Sequence, residues 1–395
     1  MKFAHLSDVH LGSWREDSLR QLGMQAFNRA IDICIEENVG CILISGDLFN
    51  TSMPSIDVLK EAAAILSKVK EHDINVYVIP GSHDYSASGK TMIDVLEKSG
   101  LILNVAKLEN GKLEHFIDKT GLMIAGWHGR KGGLERYEYR DIKLENQENR
   151  ISVFMFHTML EEFKPEALDI VDCMSVNELP AGFSYYAGGH PHYVIQGGYG
   201  NGKIAYPGAL FPNNFKELEK FKHGGFYIID DKLSITWIPV YVKEVVSFSI
   251  NADGKSPSEV ENEVVQLAEK MQDKVVTIRI AGMLREGKPS DINHKRIDNA
   301  FSHAYFLLKN TNKLNSIEAG KIGVKQGSVE QVEKDIIDEY LTKNVGHNIS
   351  FVNNLIAALD KEKEDGETNA DFENRVVKDA IMALALEEEY DIKKD

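Results

Sequence analysis

Aspartate and histidine side chains recur at the ends of apolar, strand-like stretches of this 395-residue sequence. The opening stretch KFAHLSDVHLG ends in Asp8 and His10, which lie two residues apart. In extended backbone, residues i and i+2 point the same way, so both side chains are predicted to face one spot. Four later stretches repeat the arrangement, and they end in Asp47, His83, His157, and the pair His190 and His192.

This recurrence predicts a metal centre. In open α/β sheets the strand ends are where ligands bind, so these side chains can converge on one point. Two carboxylates and four imidazoles suit manganese, iron or zinc, whereas a magnesium site would be nearly all oxygen. Two ions about 3.5–4 Å apart clamp a phosphoryl group for in-line hydrolysis. The pattern therefore predicts a dinuclear phosphoesterase whose ligands are Asp8, His10, Asp47, His157, His190 and His192.

The order Asp-x-His, Gly-Asp, Gly-x-His-Asp, His and Gly-His-x-His, over roughly residues 1–240, resembles the calcineurin-like metallophosphoesterase superfamily. The opening FAHLSDVHLG, the run GDLFNT and the chain length are most similar to SbcD and the archaeal meiotic-recombination-eleven nuclease of DNA double-strand-break repair. The resemblance implies a homodimeric, manganese-dependent DNA exonuclease and endonuclease that works with an SbcC-like coiled-coil ATPase.

The resemblance also implies a role for each ligand. The first ion would be held by Asp8, His10, Asp47 and His192. The second would be held by Asp47, residue 82, His157 and His190, so that Asp47 bridges the two. His83 would be the general acid that protonates the departing sugar oxygen.

Two positions depart from the family pattern beside this chemistry. Ser82 stands where the family usually has Asn, and a hydroxyl is a shorter and weaker ligand than an amide oxygen. Asn50 stands where relatives place the His or Asp that pairs with the general acid. An amide can orient the His83 ring by a hydrogen bond but brings no negative charge, so reduced activity is expected.

Four further side chains are candidates for substrate binding. Arg15 and Arg130 follow ligand-bearing or apolar stretches and could meet a phosphate, although a solvated surface arginine is the common alternative. Tyr85 and Tyr193 adjoin the ligand turns and could stack on a base, although ordinary packing is the common alternative.

The elements that must position these residues follow an α/β pattern. Helices are predicted over 15–38 and 54–69, alternating with strands at 41–46 and 75–80. Shorter strands follow up to residue 240, and the run GGYGNG over 197–202 predicts a hairpin turn. The resemblance implies a two-sheet αββα metallophosphoesterase sandwich over residues 1–243.

The rest of the chain is predicted to form smaller parts. Residues 244–309 alternate strand and helix as a compact α+β capping domain, which either shapes the substrate site or only packs. Residues 310–329 have the composition of a linker. Residues 330–395 carry amphipathic helical stripes, which either pack on their own domain or dock the ATPase partner.

The composition indicates the cellular compartment of the protein but does not decide its substrate. The sequence lacks a signal peptide pattern and an apolar span, so a soluble, cytoplasmic, nucleoid-associated protein without membrane contact is expected. Cys34, Cys41 and Cys173 are expected to be reduced thiols. The tail 330–395 has 18 acidic against 8 basic residues, which accounts for −10 of the net charge of −16. Charge therefore neither supports nor excludes DNA.

Two other functions fit the same sequence. A calcineurin-like enzyme acting on small phosphoesters or nucleotides would suit the acidic surface. A DNA-end-binding scaffold with weakened catalysis would suit Ser82 and Asn50, although the other six ligands argue against complete loss of activity.

Overall fold

A computed structural model describes residues 1–86, 91–109, 112–130, 150–165, 173–317, 355, 358–361 and 369–383. The chain divides into two compact units, Met1–Ser316 and Ile317–Asp395. All of the predicted metal ligands lie in the first unit.

The first unit begins with repeated β-α-β connections. Its first elements are β1 (Lys2–Leu6), α1 (Asp17–Glu36), β2 (Cys41–Ser45), α2 (Ile56–Glu71) and β3 (Asn75–Ile79). Ser55 caps the start of helix α2: its side chain accepts a hydrogen bond from the backbone N–H of Val58. The predicted helices and strands of this region are therefore confirmed, with small shifts at their ends.

Together with β1, β2 and β3, the next elements form two six-stranded sheets and one small hairpin. These are α3 (Met92–Lys98), β4 (Leu103–Asn104), β5 (Leu108–Glu109), β6 (Lys112–Leu113), β7 (Phe116–Ile117), β8 (Met123–Gly126), β9 (Ser152–His157), β10 (Tyr185–Gly189), β11 (Ile195–Tyr199), β12 (Gly202–Tyr206), α4 (Phe215–Phe221), β13 (Gly224–Asp230) and β14 (Ile235–Val240). The first sheet has the order β14-β13-β1-β2-β3-β4 and the second β11-β12-β10-β9-β8-β7, and the hairpin is β5-β6. The central strands of each sheet are parallel.

The two sheets pack face to face around an apolar core. Phe3 and Leu43 of the first sheet are buried together with Val153, Met155 and Tyr185 of the second. The outer face of the first sheet packs against α1 and α2 in a separate cluster. On the outer face of the second sheet, the described cover consists of loops and short 3-10 turns. The fold is the predicted metallophosphoesterase sandwich.

Two elements of this sandwich differ from the sequence prediction. The predicted hairpin turn exists, because Tyr199 pairs with Gly202 across β11 and β12. Strand β11 was not predicted, and it takes in residues 197–199 of the run assigned to the turn. Helix α4 was not predicted either, although it lies beside the predicted ligand His192 in the structure.

A third, smaller sheet completes the first unit. Its elements are β15 (Val245–Asn251), α5 (Pro257–Gln266), β16 (Val275–Leu284), α6 (His294–Ala300) and β17 (Phe306–Ser316). All three strands are parallel, in the order β15-β16-β17. Strand β17 stays paired with β16 as far as Ser316, so it extends into the predicted linker 310–329. Residues 318–329 lie outside the described part of the chain.

In the second unit, helix α7 (Asn369–Ala383) falls within the tail predicted to be helical. Most of the other predicted tail helices lie outside the described residues. Among the described helices, none combines the length and apolar character needed to cross a membrane. Cys34 and Cys41 are buried and Cys173 is partly exposed, and none of the three forms a disulfide.

Candidate metal centre

The carboxyl ends of four strands bring the predicted ligands to one edge of the two sheets. Asp8 and His10 follow β1, Asp47 follows β2, His157 ends β9, and His190 follows β10. Strands β1 and β2 are parallel neighbours, as are β9 and β10. The sheets therefore place these side chains together, as the sequence pattern predicts.

The backbone at these ligands is not extended. Asp8, His10 and Asp47 have φ angles of 50°, 47° and 53°, and His190 has a φ of 101°. Such positive values are uncommon for residues other than glycine and cluster at functional sites. The expectation that extended backbone aligns Asp8 with His10 is therefore wrong. Instead, backbone hydrogen bonds hold the loops, including one of 3.1 Å from Asp8 N–H to the Gly46 carbonyl.

Glycine permits the close approach of the two sheets at this point. A side chain at Gly46, where φ is 87°, would place its Cβ 2.2 Å from Nδ1 of His157. A Cβ at Gly189 would lie 2.0 Å from the carbonyl oxygen of Ser45. Both distances are far below van der Waals contact, so any larger residue would push the strand ends apart.

The first group of ligands consists of Asp8, His10 and His192, and Asp47 lies beside it. Nε2 of His192 is 3.1 Å from Nε2 of His10 and 3.8 Å from Asp8 Oδ1. Nε2 of His10 is 3.6 Å from Asp47 Oδ2. The side chains of Asp8 and His10 are almost completely buried. One ion can therefore reach donor atoms of Asp8, His10 and His192, and Asp47 Oδ2 lies beside them.

The second group also meets Asp47 at Oδ2. Nε2 of His157 is 3.2 Å from Asp47 Oδ2, and the Ser82 hydroxyl donates to the same oxygen over 3.4 Å. The His190 ring lies edge-on to the His157 ring, with centroids 5.3 Å apart. Asp47 thus contacts both groups, which is the position required of a bridging carboxylate.

The donor set at His157 fits a cation. Its Nδ1–H donates to the Ser45 carbonyl over 2.8 Å, which leaves the lone pair of Nε2 directed at the Asp47 carboxylate. Two acceptors face each other there, so a proton or a metal ion must lie between them. Burial opposes protonation of His157, but the charge and hydrogen bond of Asp47, the Asp8 charge and the Ser45 carbonyl together raise the pKa of His157 to about 10. The bound proton marks the place that a metal ion would take.

The same arrangement holds at His192, through a residue that the sequence prediction missed. Nδ1–H of His192 donates to the carboxylate of Glu217 over 2.9 Å, so Nε2 carries the lone pair toward His10. Burial opposes protonation of His192, yet the Glu217 hydrogen bond together with the nearby carboxylate charges raises the pKa of His192. A carboxylate behind an imidazole is the usual support of a metal-binding histidine.

The other two histidines are neutral at physiological pH. Burial lowers the pKa of His10 well below its usual value, although Asp47 opposes the shift. Burial and the neighbouring His157 lower the pKa of His190 to about 4. Neutral imidazoles beside carboxylates suit a transition metal such as manganese, iron or zinc, so the residues present fit two divalent ions.

His83, the predicted general acid, lies at the rim of this centre with its side chain exposed. Its ring meets the His10 ring edge-on at 4.8 Å. Nδ1–H of His83 donates to the backbone carbonyl of Asn50 over 2.7 Å. The hydrogen bond expected from the Asn50 side-chain amide is therefore made by the Asn50 backbone. Because a backbone carbonyl is present whatever the side chain, a different residue at position 50 can still orient the His83 ring.

A second residue missed by the sequence prediction, Asp84, ties two ligand loops together. Its buried carboxylate accepts hydrogen bonds from the backbone N–H groups of Leu48, Phe49 and Gly81, at 2.9 to 3.1 Å. These groups belong to the loops after β2 and β3. Asp84 therefore fixes the loop that carries Asp47 against the loop that carries Ser82 and His83.

The predicted substrate-binding residues fall in different places. Tyr85 stacks on His128, with ring centroids 5.8 Å apart. The Arg130 guanidinium also lies over the Tyr85 ring, 5.2 Å from its centroid. Tyr193 lines a cavity that His190 and His192 share. Arg15 is an exposed residue before α1, and nothing in the described structure links its side chain to the metal centre.

Comparisons with known proteins agree with this centre. Residues 1–196 match the family described as Calcineurin-like phosphoesterase. The chain therefore carries a calcineurin-like metallophosphoesterase domain, which places it among the hydrolases of phosphoric esters.

Two curated relatives are both described as DNA double-strand break repair protein Mre11. The protein from Archaeoglobus fulgidus is 30% identical over 241 residues, and this match spans 56% of our chain and about half (52%) of that protein. The protein from Methanococcus maripaludis is 26% identical over 385 residues, which is 92% of our chain and 96% of that protein. The similarity thus extends beyond the phosphoesterase domain.

Solved structures with a similar fold cover 61% of this chain and 99% of their own. One is a protein of Thermus thermophilus, with 12% identity and a TM-score of 0.39. Another is a dimetal phosphatase from Danio rerio, with 10% identity and a TM-score of 0.40. At these values they add nothing to the assignment above.

Ser82→Asn is expected to lower the manganese concentration for half-maximal activity about tenfold. The serine hydroxyl already touches the Asp47 carboxylate, at 3.4 Å, so a longer amide oxygen at this turn would reach the second ion. A tenfold gain needs only about 1.4 kcal/mol. Calorimetric titration of manganese into metal-free wild type and variant measures it, with Ser82→Ala as the control. Two equally tight sites in the wild type would contradict the prediction.

Proposed function

We propose that the protein is a metal-dependent DNA nuclease that hydrolyses backbone phosphodiesters at or near DNA ends, as an exonuclease and endonuclease in double-strand-break repair. The observation that carries the proposal is the position of Asp47 between the two ligand groups: its Oδ2 lies 3.6 Å from Nε2 of His10 and 3.2 Å from Nε2 of His157. The two relatives described as double-strand break repair proteins support DNA as the substrate. Two divalent ions are proposed as cofactors, and manganese is the favoured metal.

Several residues of the chain would have separate roles in this reaction. Bound ions would polarise the phosphate and lower the pKa of water. Asp47 would hold both ions in a fixed relation, because it contacts both ligand groups. His83 would supply a proton to the departing oxygen, because the Asn50 carbonyl fixes Nδ1 and directs Nε2 away from that bond.

Parallel assays with three substrates test the proposal. Purified protein with manganese is incubated with end-labelled linear DNA, with bis-p-nitrophenyl phosphate and with p-nitrophenyl phosphate. We expect DNA products that require manganese and disappear when a chelator is added. Hydrolysis of the small esters with intact DNA would contradict the proposal.

Hydrolysis of small phosphoesters or nucleotides is the second candidate function. The acidic composition suits such small substrates, although −10 of the net charge of −16 lies in residues 330–395 and does not exclude DNA. The DNA-end-binding scaffold is suggested by Ser82 and Asn50. The argument from Asn50 no longer holds, because the Asn50 backbone, and not its side chain, orients His83. Catalysis therefore remains the function that the centre supports best.

A homodimer is part of the proposal. Near the start of α2, the side chains of Met53 and Ile56 are 65% and 82% exposed, and Val95 on α3 is 48% exposed. Contiguous patches of exposed apolar side chains mark protein interfaces, and these three side chains are the candidate members of such a patch. Light scattering of the purified chain measures its mass, and a monomeric mass would contradict the dimer.

An SbcC-like coiled-coil ATPase is the proposed partner, and a DNA substrate would place the complex in the cytoplasm at the nucleoid. The second unit, Ile317–Asp395, is the candidate docking segment, since it divides from the first unit and contains the amphipathic helix α7. A chain truncated after Ser316 is expected to hydrolyse small esters and to lose ATPase binding. Loss of small-ester hydrolysis as well would assign the segment to the catalytic unit.

A further inference from the structure

A cavity of about 320 Å³ opens directly beside the metal centre. His190 and His192 line its inner side, while Met159, Tyr193 and Phe221 line the rest of its wall. Ligand pockets of proteins span about 300–1,000 Å³, so this one takes a single small group and not a duplex. A group bonded to a phosphate on the metal centre would therefore extend into this cavity.

The wall of the cavity is aromatic and fixed in place. The rings of Tyr193 and Phe221 meet edge-on, with centroids 5.2 Å apart and an interplanar angle of 87°. Tyr193 follows directly after His192, so its ring moves with a predicted metal ligand. Such a ring is suited to stacking against a planar heteroaromatic group.

The mouth of the cavity carries positive charge. Lys216 and Lys220 are exposed there, and the Lys220 ammonium lies 4.5 Å from the Tyr193 ring centroid. Glu217 also lines the cavity, but its carboxylate is bonded to His192. On a chain with a net charge of −16, two lysines beside an aromatic wall favour a ligand that is both aromatic and anionic.

We infer that this cavity is a nucleotide subsite, which binds the base of the nucleotide whose phosphate lies on the metal centre. Tyr193 stacks on the base, and Lys216 and Lys220 contact the neighbouring backbone phosphate. The inference rests on the proposed function and deepens it, because it assigns the place of one nucleotide of the substrate. Stacking is tolerant of base identity, so no sequence preference is expected.

Binding of two product-like probes tests the subsite without catalysis. Deoxyadenosine 5′-monophosphate and 2-deoxyribose 5-phosphate share the phosphate and sugar, and they differ by the base. In calorimetric titrations of the manganese-loaded full chain, we expect the first to bind at least about fivefold more tightly, the low end of an aromatic stacking contribution. Tyr193→Ala should remove this ratio and leave the affinity for deoxyribose phosphate unchanged.

Two further variants sharpen the test. Tyr193→Phe keeps the ring and should keep the ratio. Tyr241→Ala removes an exposed tyrosine that does not line the cavity and should also keep it. Equal affinities of the two probes in the wild type would overturn the subsite, as would an unchanged ratio in Tyr193→Ala.

Different experimental results would contradict the subsite and the proposed nuclease activity. Intact DNA in the cleavage assay, together with a high ratio of probe affinities, would overturn the nuclease and retain the nucleotide subsite. Cleaved DNA with equal probe affinities would overturn the subsite alone.

Discussion

Asp47→Asn is expected to lower kcat/KM for phosphoester hydrolysis by about 10³-fold or more, because loss of a shared ligand removes several kcal/mol of charge stabilisation. Oδ2 of Asp47 lies 3.6 Å from Nε2 of His10 and 3.2 Å from Nε2 of His157. The asparagine has the same shape and keeps an oxygen for the hydrogen bond from His83 N–H, which is 2.7 Å long. It lacks the charge that holds two cations together.

The measurement is manganese-supported hydrolysis of bis-p-nitrophenyl phosphate, with thermal unfolding as the check on the fold. His157→Ala should behave in the same way, since it removes a ligand from the second group. Asp118→Asn is the matched control: this buried aspartate bonds Asn75 and Tyr77 away from the centre. Activity near that of the wild type in Asp47→Asn would remove the two-ion hypothesis.

The sequence predicts which side chains meet at this edge of the sheets, because the residue types and the order of the strands can both be read from it. Each ligand follows an apolar run that forms a central, parallel strand, such as CILIS before Asp47 or SVFMFH ending in His157. Parallel strands end at the same edge, so the side chains meet without any further information. The sandwich follows from the same runs.

Backbone contributions could not be predicted in this way. The carbonyl of Asn50 orients His83, and every residue type has a carbonyl, so no letter of the sequence marks it. The positive φ angles of Asp8 and His10 arise from loops held by hydrogen bonds to the loop after β2. Such conformations are imposed by the surrounding structure and are not a local propensity.

Two elements were not predicted from the sequence, the end of strand β17 and helix α4. For β17 the composition is misleading, whereas for α4 the sequence does contain a helix signal. The end of β17 reads NTNKLNS, a polar run typical of a loop, yet pairing with β16 keeps it in the sheet. Helix α4 did have a signal. Asn214 followed by Glu217 is a capping pattern, and the Asn214 side chain accepts a hydrogen bond from Glu217 N–H over 3.0 Å.

The capping residue Glu217 also supports His192. Glu217→Ala should therefore weaken manganese binding at the first ion by about 10- to 100-fold, the usual cost of losing the hydrogen-bond partner of a metal-binding histidine. Glu217 accepts the Nδ1–H of His192 and so holds Nε2 toward Asp8 and His10. Without it, the His192 ring is free to rotate or to change tautomer, and the lone pair no longer points at the ion.

Glu217→Gln separates this role from the capping of α4. The single amide oxygen of glutamine can still accept from His192, but its NH2 group then faces the Asn213 N–H, which bonds the second carboxylate oxygen over 2.8 Å in the wild type. An intermediate affinity is therefore expected. Glu219→Gln is the matched control, since Glu219 lies on the same helix but binds Arg279 over 2.7 Å and does not touch His192. Calorimetric titration of manganese into each metal-free protein measures the effect. A wild-type affinity in Glu217→Ala, or an equal loss in Glu219→Gln, would show that the contact with His192 does not set metal binding.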